Sequence, residues 1–179
     1  SGKEVNHLGY NAFLEQHFAQ LGINNLQGKA YHIEGDLTVD RALEIASGIE
    51  VNNIIASGTV VVDGDLFIER NITYEPIDAS DTELEDIPSV VWIVKGSIYV
   101  RPNVTEIAGS FVAVGEEIGG VWVPGTGEFY SGAGDENLVV SGLVIAHELY
   151  LQRSGIGTAE NIQASERIFY DGRIIINTP

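Results

Sequence analysis

The sequence predicts an all-β chain wound as a single-stranded parallel β-helix, a β-solenoid, behind a short N-terminal α-helical cap. Three observations predict it: a recurring nine-residue pattern, the spacing of the glycine at its centre, and a change of periodicity near Ala30. The pattern reads apolar-x-apolar-x-Gly-x-apolar-x-apolar. It occupies Tyr31 to Val39, Val60 to Ile68, Trp92 to Val100, Leu138 to Ala146 and Ile168 to Ile176. Weaker copies centre on Gly58 and Gly109. Period-two alternation is the signal of a strand, and repetition of one unit is that of stacked coils. The apolar positions and the glycine are expected on one inward face, with Glu34, Asp36, Asp63, Asp65, Lys95, Ser97, Asp171 and Arg173 outward. A glycine inside such a strand marks a corner or a close backbone approach.

The glycine intervals are 29 residues (Gly35 to Gly64), 32 (Gly64 to Gly96), 33 (Gly109 to Gly142) and 30 (Gly142 to Gly172), interrupted by 13 and 6. Insertions at the corners of a β-helix accommodate this. The alternative is an antiparallel β-sandwich, in which Asp63-Gly64 and Asp171-Gly172 would be hairpin turns. Against it, the same glycine elsewhere follows Glu, Lys, Ser or Ala, which are poor hairpin residues. Upstream, Phe13, Leu14, Phe18 and Leu21 recur at helical spacing between Asn11 and Leu21, with Asn11 as N-cap and Gly22 as stop. Residues 1–29 are therefore expected to form the helical cap segment and 30–179 the β-helix, as one structural domain.

Composition narrows the function. The 179 residues carry 26 acidic against 9 basic side chains, a net charge of -17. That repels phosphate backbones and anionic membranes, so neither nucleic acid nor a lipid surface is an expected partner. No apolar run approaches the ~20 residues of a membrane span. Without cysteine there is no disulfide, thiolate metal site or thiol catalysis. A Ser-Gly start without Met suggests a trimmed chain or mature fragment. The triplets Asn71-Ile-Thr73 and Asn103-Val-Thr105 match the glycosylation pattern, which arises often by chance.

Two insertions read as loops, Tyr74 to Pro88 and Gly115 to Asn137. In the first, Asp78, Asp81, Glu83, Glu85 and Asp86 are candidate Ca²⁺ ligands, although their spacing is not that of an EF-hand and a solvated acidic loop is the plainer reading. In the second, Trp122, Phe129 and Tyr130 are candidate sugar-stacking residues, or else they fold back and seal the loop. Its Gly125, Gly127 and Gly132 open no helix and precede no Lys, so they form no phosphate cradle. Asp36, Asp63 and Asp65 would stack about 4.8 Å apart on one outer face. An offset register is expected to separate them unless Lys95 or a cation intervenes.

The histidines, His7, His17, His32 and His147, form no metal-binding or zincin motif, and His147-Glu148 reads as an outward polar pair. No serine sits in a nucleophile elbow. A groove for acidic polysaccharide would need more cations than Arg70, Lys95 and Arg101. The chain is therefore read as non-enzymatic, with no cofactor beyond a candidate Ca²⁺.

The stretch Leu138 to Arg153, with Ala159 to Ile162, Glu166 to Arg173, Asn177 to Pro179 and Val91 to Thr105, resembles the C-terminal regions of uncharacterised β-helical surface proteins of candidate-phylum bacteria. The Gly-Asp-Leu units at Gly35 to Val39 and Gly64 to Ile68 are similar to those of bactofilins, the polymer-forming β-helical scaffolds, from which the long loops and helical N-terminus depart. Both resemblances imply a non-enzymatic β-helical module, and the first implies a position outside the cell. The chain is read as a structural or adhesive module of an extracellular, cell-surface protein whose expected partners are proteins or surface glycans. The alternatives are a self-assembling scaffold, paired through terminal coils such as the apolar Arg173 to Asn177, and a carbohydrate-binding or carbohydrate-cleaving β-helix.

Overall fold

The computed structural model describes residues 5–7, 23–24, 26, 28–46, 57–78, 83–154 and 164–173, and in them the chain is a parallel β-solenoid. Each turn lays one strand on each of three faces. Face A holds Val5–His7, Ala30–Ile33, Ser57–Val62 and Ser89–Val94, then the second halves of Glu106–Ala113 and Leu138–Ile145. Face B holds Leu37–Val39, Leu66–Ile68, Ile98–Val100, Glu128–Tyr130 and Glu148–Tyr150. Face C holds Ile23–Asn24, Leu43–Ile45, Ile72–Tyr74, the first halves of the same two long strands, and Glu166–Phe169. About four complete turns follow, beginning at Ala30, Ser57, Ser89 and Ser110, and the strands from Gly142 to Phe169 stack on them as a fifth. Among the described residues the small hairpin Glu117–Ile118/Val121–Trp122 is the only antiparallel pair, so the sandwich alternative falls.

Alternation builds the core. Tyr31, Ile33, Leu37, Val39, Leu43 and Ile45 are buried in the first turn, and their equivalents Val60, Val62, Leu66, Ile68 and Ile72 in the second. In-register pairing places Trp92 above Val60 and below Phe111, whose ring it meets at 6.4 Å and 2° from parallel. Each fully buried side chain of this size contributes about 1.5–3 kcal/mol. Tyr31 places a phenol in the inner columns; its hydroxyl donates to Leu26 O at 3.0 Å, which satisfies the polar atom that burial would otherwise strand.

The central glycine does not point inward. It makes the corner between faces A and B. Gly35 is exposed at a φ of 81°. A Cβ on Gly64 would overlap Asp36 Oδ1 and lie 2.7 Å from the Gly35 carbonyl carbon, and one on Gly96 would lie 2.7 Å from Gly64 O. A backbone ladder ties the corners together: Gly64 N–H donates to Gly35 O (2.9 Å), Gly96 N–H to Gly64 O (3.0 Å) and Gly127 N–H to Gly96 O (2.9 Å). The corner glycine of the fourth turn is thus Gly127. Gly109 and Gly142 belong to a different corner, from face C to face A, where they pair with each other. Two kinds of corner share one sequence pattern, and this is why intervals of 13 and 6 break the series.

Two further expectations are corrected. Residues 115–137 are not a single loop, because they contain the hairpin and the face-B strand Glu128–Tyr130. Nor does the structure support a separate helical cap over 1–29. The described parts of that segment, Val5–His7 and Ile23–Asn24, are parallel strands of the solenoid sheet. The expected helix Asn11 to Leu21 lies outside the described residues, as does the final apolar strand after Arg173.

Candidate functional site

The outer surface of face B and its corner with face A carry most of the aligned polar and aromatic side chains. Parallel register puts Thr38, Phe67, Tyr99, Tyr130 and Tyr150 in one outward column. The rings stack: Phe67 on Tyr99 with centroids 5.2 Å apart, Tyr99 on Tyr130 at 4.9 Å, and Tyr130 on Tyr150 at 4.5 Å, all within 13° of parallel. Such cross-strand aromatic pairs stabilise a sheet. They also cover the faces of the interior rings, leaving edges and hydroxyls to solvent.

A second column, two residues earlier, holds Asp36, Asp65, Ser97, Glu128 and Glu148. Its first members accept hydrogen bonds from the next turn's backbone: Asp65 N–H donates to Asp36 Oδ1 (2.8 Å), Ser97 N–H to Asp65 Oδ1 (2.7 Å) and Glu128 N–H to Ser97 Oγ (3.2 Å). Its later members accept from the phenols. Tyr130 O–H donates to Glu128 at 2.5 Å, and Tyr150 O–H to Glu148. The Glu148 carboxylate, with burial adding to it, pushes the Tyr150 phenol up to about 12, and Glu128 raises Tyr130 in the same way.

A third column lies just before the corner glycine. Asp63 pairs with Lys95, and its other oxygen lies 2.8 Å from His32 Nε2. Lys95 first and His32 second hold the Asp63 carboxyl below its ordinary value. The register is therefore not offset: Asp36 and Asp65 are in step, separated by backbone amides, while Lys95 neutralises Asp63. Between these columns and the hairpin lies a shallow pocket of about 270 Å³ lined by Asp36, Asp63, Asp65, Lys95, Glu116 and Thr126.

The three aromatic candidates part company. Phe129 is fully buried in the core. Trp122 folds back under its own loop: its indole lies against Gly115 and Gly127, stacks on exposed His147 at 4.3 Å, and donates to Thr126 O at 3.0 Å. Only Tyr130 reaches the face-B surface. Of the acidic-loop candidates, Asp78 and Glu83 are exposed, and Asp86 Oδ2 accepts from Glu83 N–H at 3.3 Å in the capping box of the short 3₁₀ turn Leu84–Asp86. Asp81 and the Glu85 side chain lie outside the described residues. Among the described residues no group of three or more His, Asp or Glu is placed to hold a metal ion.

Sequence reasoning missed Arg153. Its side chain is 6% exposed, and all five guanidinium donors reach backbone carbonyls. Nε donates to Ser131 O (2.8 Å), Nη1 to Pro102 O (2.7 Å) and Glu136 O (3.0 Å), and Nη2 to Arg101 O and Val104 O (3.0 Å each). Burial lowers its pKa while Glu166 and Glu136 oppose that shift. One cation thus fastens the B-to-C corners of three successive turns. Nothing in the local sequence, Leu-Gln-Arg-Ser, signals it.

Set beside known proteins, the chain matches no family model, no curated protein and no solved structure.

Proposed function

We propose that the chain is a non-enzymatic structural module of a bacterial cell-surface protein: a stiff spacer whose exterior contacts protein or glycan partners. The observation that carries this reading is that corner and face-B side chains of one turn are engaged with a neighbouring turn. Asp36, Asp65 and Ser97 serve backbone amides, Arg153 serves carbonyls, and the face-B rings serve one another. Side chains committed to turn-to-turn contact stiffen a rod and are poorly placed to attack a substrate. The covered ring faces favour protein over sugar as the partner of face B, since stacking on a sugar needs a free face. The extracellular setting rests on the resemblance of the last ninety or so residues.

Pulling single molecules from both ends tests the spacer reading. Cooperative rupture at high force is expected; gradual extension at low force would sink it. A second reading, the self-assembling scaffold, is favoured by Leu149 and Ile168. These occupy inward positions on the last described turn yet are 50% and 44% exposed. Light scattering over a concentration series separates the two, with a constant monomer mass excluding assembly. Repeating it with Ca²⁺ tests the acidic loop, which Ca²⁺-dependent growth would implicate.

A further inference from the structure

We infer that Tyr130 and Tyr150 form a dityrosine modification site, at which a peroxidase-class oxidant using hydrogen peroxide cross-links the fourth turn of the solenoid to the fifth. Theirs is the tightest stacked pair of the column, with centroids 4.5 Å apart and planes 5° from parallel, against 4.9 Å for Tyr99 with Tyr130. Both rings are half-buried on the outer face, where an ortho carbon can tilt toward its neighbour. Each phenol already donates to a carboxylate, Tyr130 to Glu128 and Tyr150 to Glu148. Phenol oxidation releases a proton with the electron, and these carboxylates stand ready to take it. The chain has no cysteine or methionine to quench a radical. Of the competing rings among the described residues, Trp92 is fully buried, Phe67 has no phenol and Tyr99 lies farther from Tyr130 than Tyr150 does, which leaves half-buried Trp122 and exposed Tyr170 as the main rivals.

The step balances. Each phenol loses one electron to the oxidant and one proton to its glutamate. The two phenoxyl radicals join through one carbon–carbon bond ortho to the oxygens, and the ring hydrogens displaced there move to the oxygens to restore both phenols. Peroxide takes up the two electrons and two protons and leaves as two waters. The product is the same chain, lighter by two hydrogens.

The test treats dilute full-length chain with a plant peroxidase and limiting peroxide, then reads dityrosine fluorescence, intact mass and peptide maps after cleavage at acidic residues, since Glu136 separates the two rings. A monomer lighter by two hydrogens, with Tyr130 and Tyr150 peptides joined, is expected. Tyr130→Phe and Tyr150→Phe should each lose the signal, while Tyr99→Phe and Tyr170→Phe should keep it. Unfolding in urea before oxidation should abolish the intramolecular product. Glu128→Gln with Glu148→Gln should slow coupling and alter its pH profile without altering the fold. Cross-links confined to intermolecular dimers through Tyr170, or an undiminished signal in Tyr150→Phe, would overturn the assignment.

Discussion

Two corners of the same solenoid are held in opposite ways. At the A-to-B corner each of the first three turns brings its own fastening, a glycine and an acceptor just after it: Gly35 with Asp36, Gly64 with Asp65, Gly96 with Ser97. At Gly64 and Gly96 the glycine also admits the backbone of the turn before. At the B-to-C corner the earlier turns rely on Asn71, whose Oδ1 accepts from Thr105 N–H at 3.0 Å. The later turns converge on the single guanidinium of Arg153. The first arrangement is distributed, so losing one unit leaves its neighbours intact. The second is concentrated: one side chain donates to five carbonyls, and of these Arg101 O also keeps the Val104 N–H (3.0 Å) when that side chain goes.

The largest effect is therefore expected at Arg153. Arg153→Met should cost on the order of 3–5 kcal/mol, because each buried carbonyl left without a donor costs about 1–3 kcal/mol and water can reach only some of them. Arg153→Lys keeps the charge but offers three donors in a different geometry, and should fall between that variant and the parent. Urea denaturation monitored by circular dichroism measures both. A Met variant as stable as the parent would break the comparison, since the guanidinium would then be a passenger.

The glycine corner supplies the next effect and divides it by cause. Gly96→Ala drives a Cβ to 2.7 Å from Gly64 O and onto Asp65 Oδ1. Backbone cannot yield cheaply, and about 3 kcal/mol is expected, the upper part of the usual overpacking range. Gly35→Ala meets no atom within 4 Å but must hold a φ of 81°, which costs about 1 kcal/mol for a residue with a side chain. Equal costs in the same denaturation assay would mean that conformation alone, rather than close stacking, selects glycine at this corner.

These corners also show why part of the fold was legible and part was not. Strands with two inward apolar residues on each side of a corner, such as Tyr31, Ile33, Leu37 and Val39, display their alternation openly. Glu128–Tyr130 has a single inward residue, Phe129, inside a glycine-rich stretch, so no alternation shows and the strand reads as loop. The pattern around Gly142 mimics that around Gly64 although it turns a different corner. The offset expected of the acidic ladder fails, and Lys95, named only as an exception to it, is the partner that meets Asp63. The aromatic column could not be read beforehand, since Phe67, Tyr99, Tyr130 and Tyr150 are spaced 32, 31 and 20 residues apart and align only once the insertions are placed. Arg153 acts on carbonyls up to 52 residues away, a distance over which no local pattern survives.

The smallest effect is expected where the distributed corner meets solvent, at Asp63. Lys95 is the main cause of its lowered pKa, His32 the next. A carboxyl whose folded pKa lies below its unfolded value stabilises the fold above the ordinary carboxylate range of about 3.9, and that contribution fades as pH falls through the lowered value. Lys95→Met should move the Asp63 titration back toward the ordinary range and shift the acid limb of the stability curve to higher pH, by little, because the pair is partly exposed and screened by salt. Carboxyl-carbon NMR titration of Asp63 in the two proteins reads this directly. His32→Gln should produce a smaller shift in the same direction. An Asp63 titration unchanged in Lys95→Met would leave His32 as the group that holds the carboxyl, and Lys95 would lose its place in the account of this corner.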